Sequence, residues 1–121
     1  MIPDLPVLII DDERDICFML STILKQKAIA TKVVHSISEA GQWLSKQIPS
    51  LVFLDNNLPD GKGVDFLADV KRIAPSAKVV LITAYDTPND RRQAMDNGAD
   101  GFIGKPFDRQ MVYSALDKLL N

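Results

Sequence analysis

The chain has 121 residues, 46% hydrophobic and 25% charged, with 14 basic against 16 acidic side chains. This is the size and apolar content of one domain that buries a core without a disulfide or structural metal, and a formal charge of −2 argues against a general nucleic-acid binder or a polybasic membrane patch. A lone Cys17, a Met1–Asp4 start without a leader and no apolar run near ~20 residues predict a cytoplasmic protein without a membrane span.

Short apolar runs alternate with stretches of helical period. Leu5–Ile10 reads as a strand and Glu13–Gln26 as a helix; Thr31–His35 is the second strand and Ser38–Lys46 the second helix. Leu51–Leu54 precedes a helix over Val64–Ile73, Lys78–Thr83 precedes one over Pro88–Asn97, and the short Gly101–Ile103 precedes one over Arg109–Leu120. Ser38 before Glu39 reads as an N-cap, as does Thr87 before Pro88, and Asn97-Gly98 as a left-handed stop. With no hairpin signal, five strands alternating with five helices predict parallel pairing through right-handed crossovers in a doubly wound α/β fold. Val7–Ile10, Leu51–Leu54 and Val79–Ile82 are continuously apolar, as central strands covered on both faces should be.

In an open parallel sheet, ligands bind beyond the carboxyl ends of the strands. There the chain has Asp11, Asp12 and Glu13; Asp55, Asn56 and Asn57; Thr83, Ala84, Tyr85 and Asp86; and Lys105, Pro106 and Phe107. Three carboxylates brought to one edge repel one another and need a cation. With one histidine and one cysteine in the chain, zinc is disfavoured, and Mg²⁺, bound by few carboxylates together with phosphate oxygens, suits the set. Lys105 and Thr83 would neutralise and hydrogen-bond a phosphoryl group, and Asp55, rigid at the end of a buried strand, would be its acceptor. Taken alone, Asp11-Asp12-Glu13 reads rather as an acidic first helical turn that complements the macrodipole.

Asp11-Asp12, Asp55 with Pro59 and Gly63 following, Thr83-Ala84 and Lys105-Pro106-Phe107 together resemble the receiver domain of two-component response regulators, in order and spacing from about Leu5 to Leu120. The resemblance implies one receiver domain over residues 1–121, flavodoxin-like, with strand order 2-1-3-4-5. It implies that Asp55 takes a phosphoryl group from a sensor histidine kinase or a histidine phosphotransfer protein, so that the chain is a phosphoacceptor rather than an enzyme. Asp11, Asp12, Asp55 and the backbone carbonyl of Asn57 would hold Mg²⁺. Thr83 and Lys105 would contact the phosphoryl group, Pro106 would follow a cis peptide, and Phe102 would be the switch aromatic. Asn57 and Tyr85 match positions that tune phosphoryl lifetime, which is expected to be intermediate.

Output would be contact through the face of the fourth helix, fifth strand and fifth helix, with Asp90, Arg91, Arg92, Tyr113, Asp117 and Lys118 as candidates against a solvated face. The receiver is expected to act on an effector protein or a fused output domain, or through a phosphorylation-dependent dimer, and not to read nucleic acid itself. The alternative is a Mg²⁺-dependent phosphohydrolase of haloacid dehalogenase type. That family wants a second aspartate two residues after the nucleophile, where this chain has Asn57. No phosphate-binding glycine loop is present. Cys17 and Trp43 read as packing residues, Asp60-Gly61 as a turn, Lys62 as a solvated charge, and His35 is given no role.

Overall fold

A computed structural model describes residues 6–120; Leu5, the Met1–Asp4 start read for a leader, and Asn121 lie outside the described residues. The three continuously apolar runs form the middle of the sheet. The strands β1 (Val7–Ile10), β2 (Thr31–Val34), β3 (Leu51–Asp55), β4 (Lys78–Thr83) and β5 (Gly101–Gly104) pair in parallel in the order β2-β1-β3-β4-β5. Five helices flank them: α1 (Arg14–Lys25), α2 (Ile37–Leu44), α3 (Gly63–Ile73), α4 (Pro88–Asp96) and α5 (Arg109–Leu120).

Alternate residues of each strand point to opposite faces, so each central run feeds two cores. Leu8, Ile10, Val52, Leu54, Val79 and Leu81 pack beneath α2, α3 and α4, with Trp43 half-buried at the margin. Val7, Ile9, Phe53, Val80 and Ile82 pack against Cys17, Leu20 and Leu24 of α1 and Val112 and Leu116 of α5. The register pairs Val7 with Leu51 and Leu51 with Lys78, which brings Asp11, Asp55 and Thr83 to one edge. Among its nine residues α4 buries only Ala94.

Two features depart from the sequence expectation. Ser36, not Ser38, caps α2, its hydroxyl accepting from Glu39 N–H at 3.1 Å. The Ser38 N–H, with that of Ile37, is taken instead by the Asp60 carboxylate at 2.9 Å each. A remote side chain thus satisfies two of the free donors that every helix start leaves. There is also a hairpin, an antiparallel ribbon of Asn57–Leu58 with Gly61–Lys62 around the turn at Pro59-Asp60. Two residues per strand are too few to give a periodicity. Thr87 and Pro88 start α4 as expected, and Gly98, at φ +104°, supplies the left-handed stop after Asn97.

Gly63 is demanded by close approach. A Cβ there would overlap the Asp55 carbonyl oxygen and sit 3.0 Å from the Asn56 Cα, both backbone atoms of the loop that carries the acidic edge. Gly63→Ala is therefore expected to destabilise the protein by about 2 kcal/mol or more. Urea denaturation would show it as a lowered midpoint at unchanged slope, and an unchanged midpoint would mean that the loop yields freely.

Candidate functional site

Each acidic residue is delivered by a different piece of local structure. Asp11 follows β1: its N–H continues the sheet by donating to Val34 O at 3.1 Å, and its Oδ1 accepts from Glu13 N–H at 2.8 Å. Asp55 ends β3, and the loop behind it is fastened at Asn56. The Asn56 N–H donates to Ile82 O (2.8 Å), its carbonyl accepts from Gly63 N–H (2.9 Å), and its Oδ1 accepts from Val64 N–H (2.9 Å). Asn56 thereby ties the end of β3 to the start of α3, a role that its place in the sequence did not announce. Asp12 is exposed at the mouth.

Carboxylate oxygens of Asp11, Asp12 and Asp55 lie within 4.8 Å of one another. Asp11 and Asp55 are buried, and Asp11 Oδ2 has no hydrogen-bond partner of good geometry. The counter-charge is Lys105, whose Nζ is 3.2 Å from Asp11 Oδ2, 3.2 Å from Asp55 Oδ1 and 2.7 Å from Glu13 Oε1. Glu13, read from sequence as a first-turn acid, is thus the nearest partner of the lysine.

The electrostatics follow from burial in company. Desolvation, reinforced by the Asp11 charge and offset by Lys105, pushes Asp55 up to about 6. Burial raises Asp11 as well, against the Glu13 N–H and the Lys105 charge. Burial alone would lower the Lys105 ammonium, but the Glu13 bond and the charges of Asp11 and Asp55 reverse the sign and raise it. Two buried, mutually repelling carboxylates, with Asp11 Oδ2 left without a well-formed hydrogen bond beside the lysine, suit a hard divalent cation held by oxygens.

The remaining residues surround this edge. Thr83 is fully buried, its Oγ1 accepting from Tyr85 N–H at 3.0 Å, and its carbonyl accepts from Lys105 N–H at 2.7 Å. The Lys105–Pro106 peptide is cis. Tyr85 is exposed, and Asn57 lends its Oδ1 to Lys62 Nζ at 2.7 Å beside a cleft that also includes Asp12. The expected solvated charge of Lys62 therefore has a partner at the rim.

Phe102 is half-buried against the α2-α3-α4 core, and the Arg91 guanidinium lies 4.7 Å from the centre of its ring. Arg91 is also bidentate to Asp86, at 2.6 and 2.9 Å. Asp86 in turn lies against Gly104, where a Cβ would come within 2.8 Å of the carboxylate. Tyr113 does not join the α4-β5-α5 face. Its hydroxyl donates to Gln26 Oε1 at 3.1 Å and Lys27 Nζ lies 4.4 Å from its ring centre, so it faces α1. Lys118 does line the groove between β5 and α5, together with Phe102, Gln110, Met111 and Ser114.

Cys17 is buried, donates its thiol to Asp11 O at 3.2 Å and is pushed up to about 11, chiefly by desolvation, which makes it a packing thiol.

The family description "response regulator receiver domain" matches residues 7–117. Among curated proteins the chain is 34% identical over 113 residues to the response regulator protein PilR of Pseudomonas aeruginosa, covering 90% of this chain and 25% of that one. It is 32% identical over 116 residues to the phosphate regulon transcriptional regulatory protein PhoB of Escherichia coli, covering 94% of this chain and 51% of PhoB. The chain thus spans between a quarter and a half of these relatives. A crystal structure of a response regulator protein from Burkholderia pseudomallei, with a phosphorylated aspartic acid, a calcium ion and citrate, superposes with a TM-score of 0.86 at 25% identity, over 93% of this chain and 66% of that one. Among the described residues no helix is long and apolar enough to cross a membrane.

Proposed function

Because the chain belongs to the response regulator receiver domain family, we propose that it is a phosphorylation-controlled signalling switch in which Asp55 is the phosphoacceptor. The observation that carries this reading is the meeting of Asp11, Asp12 and Asp55 around a buried lysine at the carboxyl edge of the sheet. The phosphodonor is a sensor histidine kinase or a histidine phosphotransfer protein. The Asp55 carboxylate attacks phosphorus, the P–N bond of the phosphohistidine breaks as the P–O bond forms, and an acyl phosphate results. The chain is then a phosphoacceptor that assists its own loading and unloading, not an enzyme acting on external esters. The haloacid dehalogenase alternative has no support in the family match and lacks its second aspartate at Asn57.

Asp12, Asp11, Asp55 and the Asn57 carbonyl would hold the cation, which we take to be Mg²⁺. When bound it neutralises carboxylate and phosphoryl oxygens. Lys105 turns from its carboxylates to the phosphoryl group, where a positioned ammonium stabilises the charge that develops. Thr83 Oγ1, which accepts from Tyr85 N–H, donates its own hydrogen to a phosphoryl oxygen. That draws the Thr83–Asp86 loop inward and lets Phe102 follow. Asn57 and Tyr85, at the rim, screen the acyl phosphate from water and set its lifetime.

Residues 1–121 act as one receiver domain, in the cytoplasm. Output is contact through α4, β5 and α5, to an effector protein, a fused output domain or a second copy. Any reading of nucleic acid falls to such an effector or output domain; PhoB, of which this chain covers 51%, is named a transcriptional regulatory protein. A near-complete switch from 1:99 to 99:1 needs about 5.5 kcal/mol of preference for the active arrangement.

The test is mass spectrometry after incubation with acetyl phosphate and Mg²⁺. Wild type is expected to gain one phosphoryl group and Asp55→Asn none. A gain that persists in the variant would move the acceptor elsewhere, and steady release of phosphate from a generic phosphomonoester would favour a hydrolase.

A further inference from the structure

The sequence assigns His35 no part, yet the fold carries it into contact with the acidic edge. It follows β2, and its N–H donates to Glu39 Oε1 at 2.8 Å, which fixes its backbone against the first turn of α2. Its Nδ1 lies 2.9 Å from the backbone carbonyl oxygen of Asp11. A carbonyl oxygen can only accept, so the ring carries a proton on Nδ1. The Cys17 thiol, 4.0 Å from Nδ1, finds that nitrogen already a donor and sends its own proton to the same carbonyl at 3.2 Å.

The Asp11 carbonyl belongs to the peptide that joins Asp11 to Asp12. Its orientation, together with the Asp12 φ, sets the direction in which the Asp12 Cα–Cβ bond leaves the chain. Asp11 is held independently, by its N–H to Val34 and by its carboxylate in the buried cluster. Asp12 is exposed. Its carboxylate is placed by the peptide planes on either side of it: the Glu13 N–H bond to Asp11 Oδ1 holds the one ahead, and two side-chain donors hold the one behind. Of the two, the imidazole N–H is the stronger, since a thiol is a weak donor at longer range.

We infer that His35 is a positioning residue for the cation site: its Nδ1–H holds the Asp11–Asp12 peptide so that Asp12 faces Asp11 and Asp55. The inference rests on the reading of these three carboxylates as the Mg²⁺ site. A side-chain donor fixing the backbone of a ligand belongs to the outer shell, whose loss typically weakens metal binding by about 10–100-fold.

The test compares two amides that differ in where they place their donor. Asparagine sets its N–H₂ near the position of Nδ1, whereas glutamine sets it near Nε2. Mg²⁺ titration calorimetry should show His35→Gln weakened about tenfold and His35→Asn within about twofold of wild type, with both variants melting together in chelator. Equal binding by all three proteins would overturn the inference, and so would equal weakening of the two variants, because ring loss and not the Nδ1 bond would then be the cause.

A wild-type measurement guards against misfolded variants: the imidazole ¹⁵N spectrum should show the Nδ1–H tautomer, and an Nε2–H tautomer would refute the contact. Failure of the underlying site is seen separately. Wild type would then bind Mg²⁺ no better than Asp12→Ala, and the inference would fall with it.

Discussion

Lys105→Ala is expected to slow phosphoryl uptake from acetyl phosphate by roughly 10²–10³-fold, the usual loss when one positioned charge donor is removed from a reacting oxyanion. The same substitution should tighten Mg²⁺ binding. Nζ stands 3.2 Å from both Asp11 Oδ2 and Asp55 Oδ1, so the ammonium occupies the electrostatic place that a second cation would take. Removing it leaves the carboxylates more negative and the cation without a competitor.

In chelator the variant should also be less stable, by about 3 kcal/mol. Deleting one partner of a buried ionic cluster leaves the others uncompensated, and Lys105 is the charge to which Asp11, Asp55 and Glu13 all turn. Rapid-quench uptake, calorimetry and urea melts together make a pattern with opposed signs: slower chemistry, tighter metal, weaker fold. If Lys105→Ala bound Mg²⁺ more weakly than wild type, the lysine would be supporting the metal site and not competing with it.

The second large effect concerns stability without metal. Burial and the Asp11 charge raise Asp55 from 3.8 to about 6, so over that interval the folded protein keeps a proton that the unfolded chain has released. A group whose folded value is raised contributes its stability below the unfolded value and loses it as pH climbs to the folded one. Metal-free wild type should therefore lose stability between about pH 4 and pH 6 and remain at the lower level above that.

The rise corresponds to at most about 3 kcal/mol, part of which is shared with Asp11. Asp55→Asn, which cannot ionise, is expected to be more stable than wild type by about 1–3 kcal/mol at pH 7.5 in chelator, with a flatter profile from pH 4 to pH 6. Saturating Mg²⁺ should stabilise wild type and leave the variant nearly unmoved, because only the former gains a tightly bound ligand in the folded state. A variant less stable than wild type at pH 7.5 would show that the Asp55–Lys105 attraction outweighs the burial of the charge. The destabilised carboxylate is what a phosphoacceptor needs: it is ionised at neutral pH yet poorly solvated, and so poised to react.

Much of the candidate site was readable along the chain because its parts sit at fixed offsets from strands. Asp11, Asp55, Thr83 and Lys105 each follow an apolar run, and parallel register lines up the ends of such runs. What sequence could not supply were encounters between side-chain tips that are far apart in the chain. Glu13 reaches Lys105 across 92 residues, His35 reaches Asp11 across 24, and Asp60 caps α2 across 22 and 23. Periodicity tells which face a residue lies on, not which neighbour it meets there. The cap at Ser36 is different, being a local bond to Glu39 three residues on that a capping-box spacing announces, and the ribbon is simply too short to give a periodicity.

The sequence by itself determined the alternation of strand and helix, the central place of the three fully apolar runs and the gathering of acids, hydroxyl and lysine at one edge. These follow from hydrophobic period and parallel connection, which act locally and repeat. The tertiary structure alone decided that Asp11 and Asp55 are buried beside one another, that a single lysine is shared among three carboxylates, and that Tyr113 faces α1 rather than the α4-β5-α5 face. Coulomb energies and desolvation depend on distances of a few ångströms and on what excludes water. A chain sets these only once its two cores have closed on either side of the sheet.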